Sequence, residues 1–153
     1  MAHYAATIGS RRPAPETFSY LATFSNAARW DPGVLTGEQL DPGPVGVGTR
    51  FRLVVPFLGR RMTLIYKVTT HVPDREVVLD ATSRLLRAID HIVVAPDGDG
   101  ATVSYAADVR LQGPLRILDP LLRKGFTAVG DRATAGLARA LSAAQPAGGQ
   151  PSS

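Results

Sequence analysis

Between residues 48 and 112 apolar and polar positions alternate with a period of two, the signature of strands with one buried face. Phe51, Leu53, Val55 and Phe57 fall on one face, opposite Arg50, Arg52 and Val54. The next run sets Met62, Leu64, Tyr66, Val68 and Thr70 against Arg61, Thr63, Ile65, Lys67 and His71, so strict parity carries Tyr66 inward and His71 outward. Val77, Leu79 and Ala81 oppose Val78, Asp80 and Thr82. Val103, Tyr105, Ala107, Val109 and Leu111 oppose Thr102, Ser104, Asp108 and Arg110. One run has no preferred side: Asp90, Ile92 and Val94 share one face and Ile89, His91 and Val93 the other. The breaks, at 41–48, 58–60, 73–75 and 96–100, fall where hairpin turns belong, which makes the segment an antiparallel meander.

Outside the meander the pattern changes. Tyr4, Ala6 and Ile8 alternate with His3, Ala5 and Thr7, predicting a first strand over 3–8. Pro13 and Pro15 forbid a continuing central strand, and Pro15 suits the first turn of a short helix that carries Phe18, Leu21 and Phe24 to one side. A second helical turn over 26–30, capped by Ser25 or Asn26, ends at Asp31, Pro32 and Gly33. After Gly113 and Pro114 the period becomes 3.6. Asp119 and Pro120 open a helix running to about 144, with Leu122, Phe126, Val129, Ala133, Leu137 and Ala140 as its apolar stripe. Gly125 and Gly136 fall on that stripe, where glycine costs about 1 kcal/mol against alanine and so marks close packing or open space. Residues 146–153 offer nothing to pack and are expected to be disordered. The expected fold class is α+β: one domain over 1–145, with a curved antiparallel sheet of about seven strands, two short helices between strands 1 and 2, and a long C-terminal helix.

Length and composition fit this reading. At 153 residues and 44% hydrophobic content the chain has the size and core material of one domain. The net charge of +4 and pI near 10.0 raise the question of nucleic acid, but the cations are scattered as pairs such as Arg11, Arg12 and Arg60, Arg61, with no recognition motif, so no nucleic-acid partner is expected. The absence of cysteine excludes disulfides and thiolate metal sites. With no signal-peptide pattern and no apolar run of membrane-spanning length, a cytoplasmic protein without stable membrane insertion is the expectation.

Several stretches resemble the bacterial polyketide cyclase/dehydrase and lipid-transport family of the START-like superfamily, whose architecture is the helix-grip fold. They include Pro13, Pro15 and Phe18 behind the first strand, the run from Asn26 through Trp30 and Asp31 to Pro32, and Gly46, Val47, Gly48, Thr49, Arg50, Phe51. Pro96 to Tyr105 and Leu111 to Leu115 continue the series. These are turns, a helix end and a tryptophan, so the resemblance implies an internal pocket and not a particular substrate. A strongly bent sheet gripping one helix leaves space that its own side chains do not fill. The expected lining is Trp30, Phe51, Leu53, Met62, Leu64, Tyr66, Tyr105, Ala107, Phe126 and Val129, suited to a lipid or polyketide-like ligand. Inward Phe and Leu are ordinarily core, whereas the buried phenols of Tyr66 and Tyr105 must find a partner, and a ligand oxygen is one.

Catalytic signals are sparse. Asp90 and His91 are adjacent in a strand and face opposite sides, so they do not form a dyad in one pocket. His3, His71 and His91 lack metal-ligand spacing, and Ser83 and Ser104 lack the strand-to-helix setting of a hydrolase nucleophile. The glycine-rich stretches 43–48 and 97–100 have no lysine or following helix and read as hairpin turns. No catalytic residue, metal or cofactor is assigned. The reading is a binding protein for a hydrophobic small molecule, as carrier or sensor. A cyclase or dehydratase using the same cavity, and a protein-interaction module, are the alternatives.

Overall fold

The computed structural model describes residues 2–142; the expected disordered tail lies outside these residues. Seven strands form one antiparallel sheet: β1 Ala2–Ser10, β2 Thr36–Gln39, β3 Arg50–Phe57, β4 Arg60–Val72, β5 Glu76–Thr82, β6 Leu86–Asp97 and β7 Gly100–Leu111. Their spatial order is β1-β7-β6-β5-β4-β3-β2, a meander whose last strand pairs back with the first. Between β1 and β2 lie α1 (Ala14–Ala22), a 3-10 turn (Phe24–Asn26) and α2 (Ala27–Trp30). A second 3-10 segment, Gly113–Leu118, leads into α3, Asp119–Ser142.

The first short helix behaves as its sequence dictates. Pro13 precedes it in extended backbone, and Phe18 and Leu21 are buried on its inner side. Neither Ser25 nor Asn26 caps α2 through its side chain; the Asn26 amide donates instead to the Tyr20 carbonyl at 3.0 Å and ties the two helices together. Asp31 ends α2 in an extended conformation, and its carboxylate accepts the Gly33 N–H at 2.7 Å.

Antiparallel pairing gives the sheet two distinct ends. The β3–β4 and β5–β6 turns, the start of β1 and the exit of β7 share one end; the β4–β5 and β6–β7 turns and the end of β1 share the other. At the second, closed end Phe51, Val68, Val77, Leu79, Ile92 and Val103 are sealed. Near the first, open end the inward residues Val55, Phe57, Met62, Ala107 and Val109 remain only half-buried. The β3–β4 hairpin also overshoots β5. Tyr66 already faces Ala81, one residue before β5 stops, so the stretch 60–65 pairs with β3 alone.

Strict parity fails once. β4 carries an irregularity between Val68 and Thr70, and beyond it His71 stands opposite fully buried Val77. The expected outward His71 is therefore turned toward the inner side, half-buried with its ring edge-on to Phe18 at 5.4 Å, and Thr70 lies opposite half-buried Val78. A bulge of one residue inverts every later side chain, and no local signal in 69–71 announces it.

α3 crosses from the open end to the closed end, where the Arg11 N–H donates to the Leu141 carbonyl at 2.9 Å. Leu137 and Leu141 are buried; Leu122, Phe126, Ala133 and Ala140 are half-buried. Val129, expected on the stripe, is 41% exposed. The stripe passes through Gly130 instead, because the Tyr4 ring of β1 lies where a side chain would be, within 2.6 Å of an added Cβ. The Tyr4 hydroxyl donates to Asp131 at 2.7 Å and bonds the Thr134 hydroxyl at 3.1 Å, clamping β1 to α3. Gly136 rests directly on the Trp30 carbonyl. Gly125 has nothing near it, so only Gly136 of the two stripe glycines marks close packing.

Candidate functional site

Small residues pave the middle of the inward face. Ala81 stands opposite Ala88 across β5 and β6, and Ala107 of β7 stands opposite Asp90 of β6. These small side chains lie on the inward face, where Ala81 and Ala88 are buried and Ala107 is half-buried. Tyr66 is in register with Ala81, and Tyr105 with Ile92. Trp30 stands edge-on to Tyr105 at 5.7 Å, and Phe24 edge-on to Tyr66 at 5.0 Å.

The two-sided strand β6 resolves in favour of Asp90. Ile92 and Val94 are buried beside it, whereas His91 faces out and bonds Glu76 at 2.5 Å. His91 is thereby removed from the interior, and a carboxyl group takes the place considered for it. Asp90 is 6% exposed, and its Oδ2 accepts the Tyr105 hydroxyl. Burial pushes its pKa up to about 7; the Tyr105 hydrogen bond opposes the shift, and the negative charges of Asp31 and Asp108 add to it. Burial likewise raises the Tyr66 and Tyr105 phenols far above their ordinary value, with the Asp90 charge next in importance. Asp31, beside Trp30, is also raised by burial.

Among the described residues the second Asp90 oxygen and the Tyr66 hydroxyl have no hydrogen-bond partner, yet neither is sealed as a buried orphan. Both residues lie on the inward face, Tyr66 in register with Ala81 and Asp90 in register with Ala107. An unpaired polar atom in an apolar surround is costly, so a group able to bond them there is favoured.

Of the expected lining, Tyr66, Tyr105, Trp30 and Ala107 come together around Asp90, with half-buried Met62 and Phe126 nearer the open end. Phe51, Leu53 and Leu64 are core; Phe24 packs over Phe51 at 6.5 Å. Val129 faces away. Asp90 itself was legible only as one of two equal choices, and what fixes it is the neighbouring strands: Leu79 and Ala107 flank it across the sheet, both on inward faces.

Three open hollows are found among the described residues, one of them touching Trp30 and another Tyr105. One of about 550 Å³ is lined by Arg110, Gln112, Arg116 and Asp119 at the open end, one of about 420 Å³ lies between α2 and α3 beside Trp30, and one of about 460 Å³ is bordered by β1, β6 and β7 near His91. None is floored by Phe51, Leu53, Met62, Leu64 or Tyr66.

The architecture, an antiparallel sheet gripping a C-terminal helix, defines a helix-grip protein of the START-like class. Over residues 1–142 the chain matches the family described as polyketide cyclase / dehydrase and lipid transport, and it belongs to that family. Among solved structures, a START superfamily protein from Mycobacterium smegmatis is similar with a TM-score of 0.74 at 15% identity, covering 92% of this chain and 97% of that one. The Zhui aromatase/cyclase from Streptomyces sp. R1128 is similar with a TM-score of 0.69 at 18% identity, covering 91% and 90%. At these identities the likeness shows the fold alone. No curated protein sequence matches.

Proposed function

We infer that this protein binds a hydrophobic small molecule between the sheet and α3, with the ligand's polar end at Tyr66, Asp90 and Tyr105 and its apolar body along Met62, Ala107 and Phe126, in the manner of a carrier or sensor. The observation that supports this reading is that, among the described residues, the second Asp90 oxygen and the Tyr66 hydroxyl have no hydrogen-bond partner on an inward face of small residues. A lone polar cluster at one end of an apolar wall orients an amphipathic ligand. Family membership supports it. With Asp31 near Asp90, the cluster disfavours a carboxylate ligand and favours a neutral hydroxyl or carbonyl compound.

Titration with the neutral dye Nile red tests the reading. Saturable binding at one site per chain is expected, with loss of binding in Ala107→Phe, which puts a ring on the inward face beside Asp90. Circular dichroism establishes that the variant is folded. Absence of binding, or unchanged binding in the folded variant, counts against it. Native mass spectrometry of protein from its own host identifies the ligand.

A second reading, a cyclase or dehydratase acting in the same space, rests on Asp90, a buried group poised to exchange a proton near neutrality and coupled to Tyr105. A bound β-diketone then exchanges its acidic α-hydrogens in heavy water faster than in buffer alone, and Asp90→Asn abolishes the acceleration. Equal rates with and without protein dismiss the enzyme and leave the carrier.

A further inference from the structure

The open end of the sheet carries a feature that folding does not require. Leu58 and Gly59 form the β3–β4 turn with positive φ at both positions, 51° and 77°, the geometry in which Asn-Gly or Asp-Gly is favoured. A leucine there is strained, and it is also 63% exposed, so it gains nothing from the core. Leu85 is exposed in the β5–β6 turn at the same end. Beside that turn, where the Gln112 N–H donates to the Leu85 carbonyl at 2.7 Å, begins the segment in which Ile117 is 82% exposed and Leu121 65%.

Each of these apolar tips stands within two residues of a cation: Leu58 by Arg60, Leu85 by Arg84, Ile117 by Arg116 and Leu121 by Arg123. Arg61 and Lys124 extend the set. Elsewhere Arg50 pairs with Asp41, Arg52 with Glu38 and Arg87 with Asp80. Among the described residues Arg60, Arg61 and Arg84 have no ion-pair partner. The net charge of the whole chain is +4, so these six cations with Asp119 carry the excess and the remaining surface is near balance.

We propose that this rim docks peripherally on an anionic lipid bilayer, the four apolar tips entering the headgroup boundary and the flanking cations meeting phosphate. Single apolar residues on separate tips, each beside a long cation, suit an interface that is soft, negative and laterally uniform. A folded protein partner calls for a contiguous patch with aromatic anchors, and none of these tips is aromatic. Among the described residues no helix is long and apolar enough to cross a membrane, so the contact is superficial. The rim surrounds the half-buried end of the inward face, and an apolar ligand passing there avoids water.

Flotation of the full chain with vesicles tests the proposal. Binding to phosphatidylcholine vesicles containing phosphatidylglycerol, little binding to phosphatidylcholine alone, and about tenfold weakening in high salt are expected. Leu58→Asn, which relieves the turn, combined with Ile117→Gln, should keep or raise Tm and weaken vesicle binding about tenfold or more. Lack of flotation with anionic vesicles overturns the proposal, as does equal flotation by the folded variant. Saturable binding of an acidic folded protein with no vesicle binding reassigns the rim to a protein partner. The vesicles hold no cavity ligand, so this result and the Nile red result fail or succeed separately.

Discussion

A carboxyl group buried to within 6% of full enclosure, with one phenol for company, makes the stability of this protein depend on pH. In the unfolded chain Asp90 titrates near the ordinary value of 3.8; in the folded protein it holds its proton to about 7. Between those values the folded state binds more protons than the unfolded one, so stability falls as pH rises from 4 to 7 and then levels. The loss is on the order of 4 kcal/mol if Asp90 acts alone. Asp90→Asn keeps an acceptor for Tyr105 and never ionises. Thermal unfolding should therefore show this variant more stable than wild type at pH 8, with the advantage vanishing toward pH 4; a constant difference across that range contradicts a native Asp90 proton. The same residue marks the limit of sequence reading. Alternation placed Tyr66 and Tyr105 inward because their strands have one apolar face each, but β6 is apolar on both, and only Leu79 and Ala107 across the sheet decide for Asp90.

At the scale of the element, α3 shows which glycines build the fold. Gly136 lies so close to the Trp30 carbonyl that any side chain displaces backbone, whereas Gly125 has nothing within 4 Å. Gly136→Ala is expected to destabilise by about 2 kcal/mol or more through forced separation of α2 from α3, outweighing its gain in helix propensity. Gly125→Ala lacks the clash and should stabilise by about 1 kcal/mol. Urea unfolding of the two variants checks the contrast, and equal effects would contradict the packing. Periodicity located α3 to within a residue of its start but not its buried edge, since Tyr4, 126 residues away from Gly130, determines which side lies flat on β1. His71 fails for a related reason: the bulge that turns it depends on pairing between β4 and β5 rather than on its own neighbours.

Over the whole molecule the two ends of α3 are held very differently. Its second half is fixed by the Tyr4 clamp, by Gly136 against Trp30 and by the Arg11–Leu141 backbone bond, with Leu137 and Leu141 buried. Its first half follows a 3-10 segment with no buried residue, and Leu122 and Phe126 are only half-covered. Stability that uneven implies local opening at the start of the helix, next to the cationic rim and above the half-buried end of the sheet. Under the proposed binding function, entry needs motion of residues 113–126 alone, with the closed end intact. Hydrogen exchange should find amides in 113–126 exchanging faster than those in 130–142. Saturating Nile red should slow the first group by about tenfold while leaving the second nearly unchanged, since a ligand stabilises the state it binds by mass action. Uniform protection along α3 would mean that the helix opens as one body, and the separation of a fixed end from a gating end would have to be abandoned.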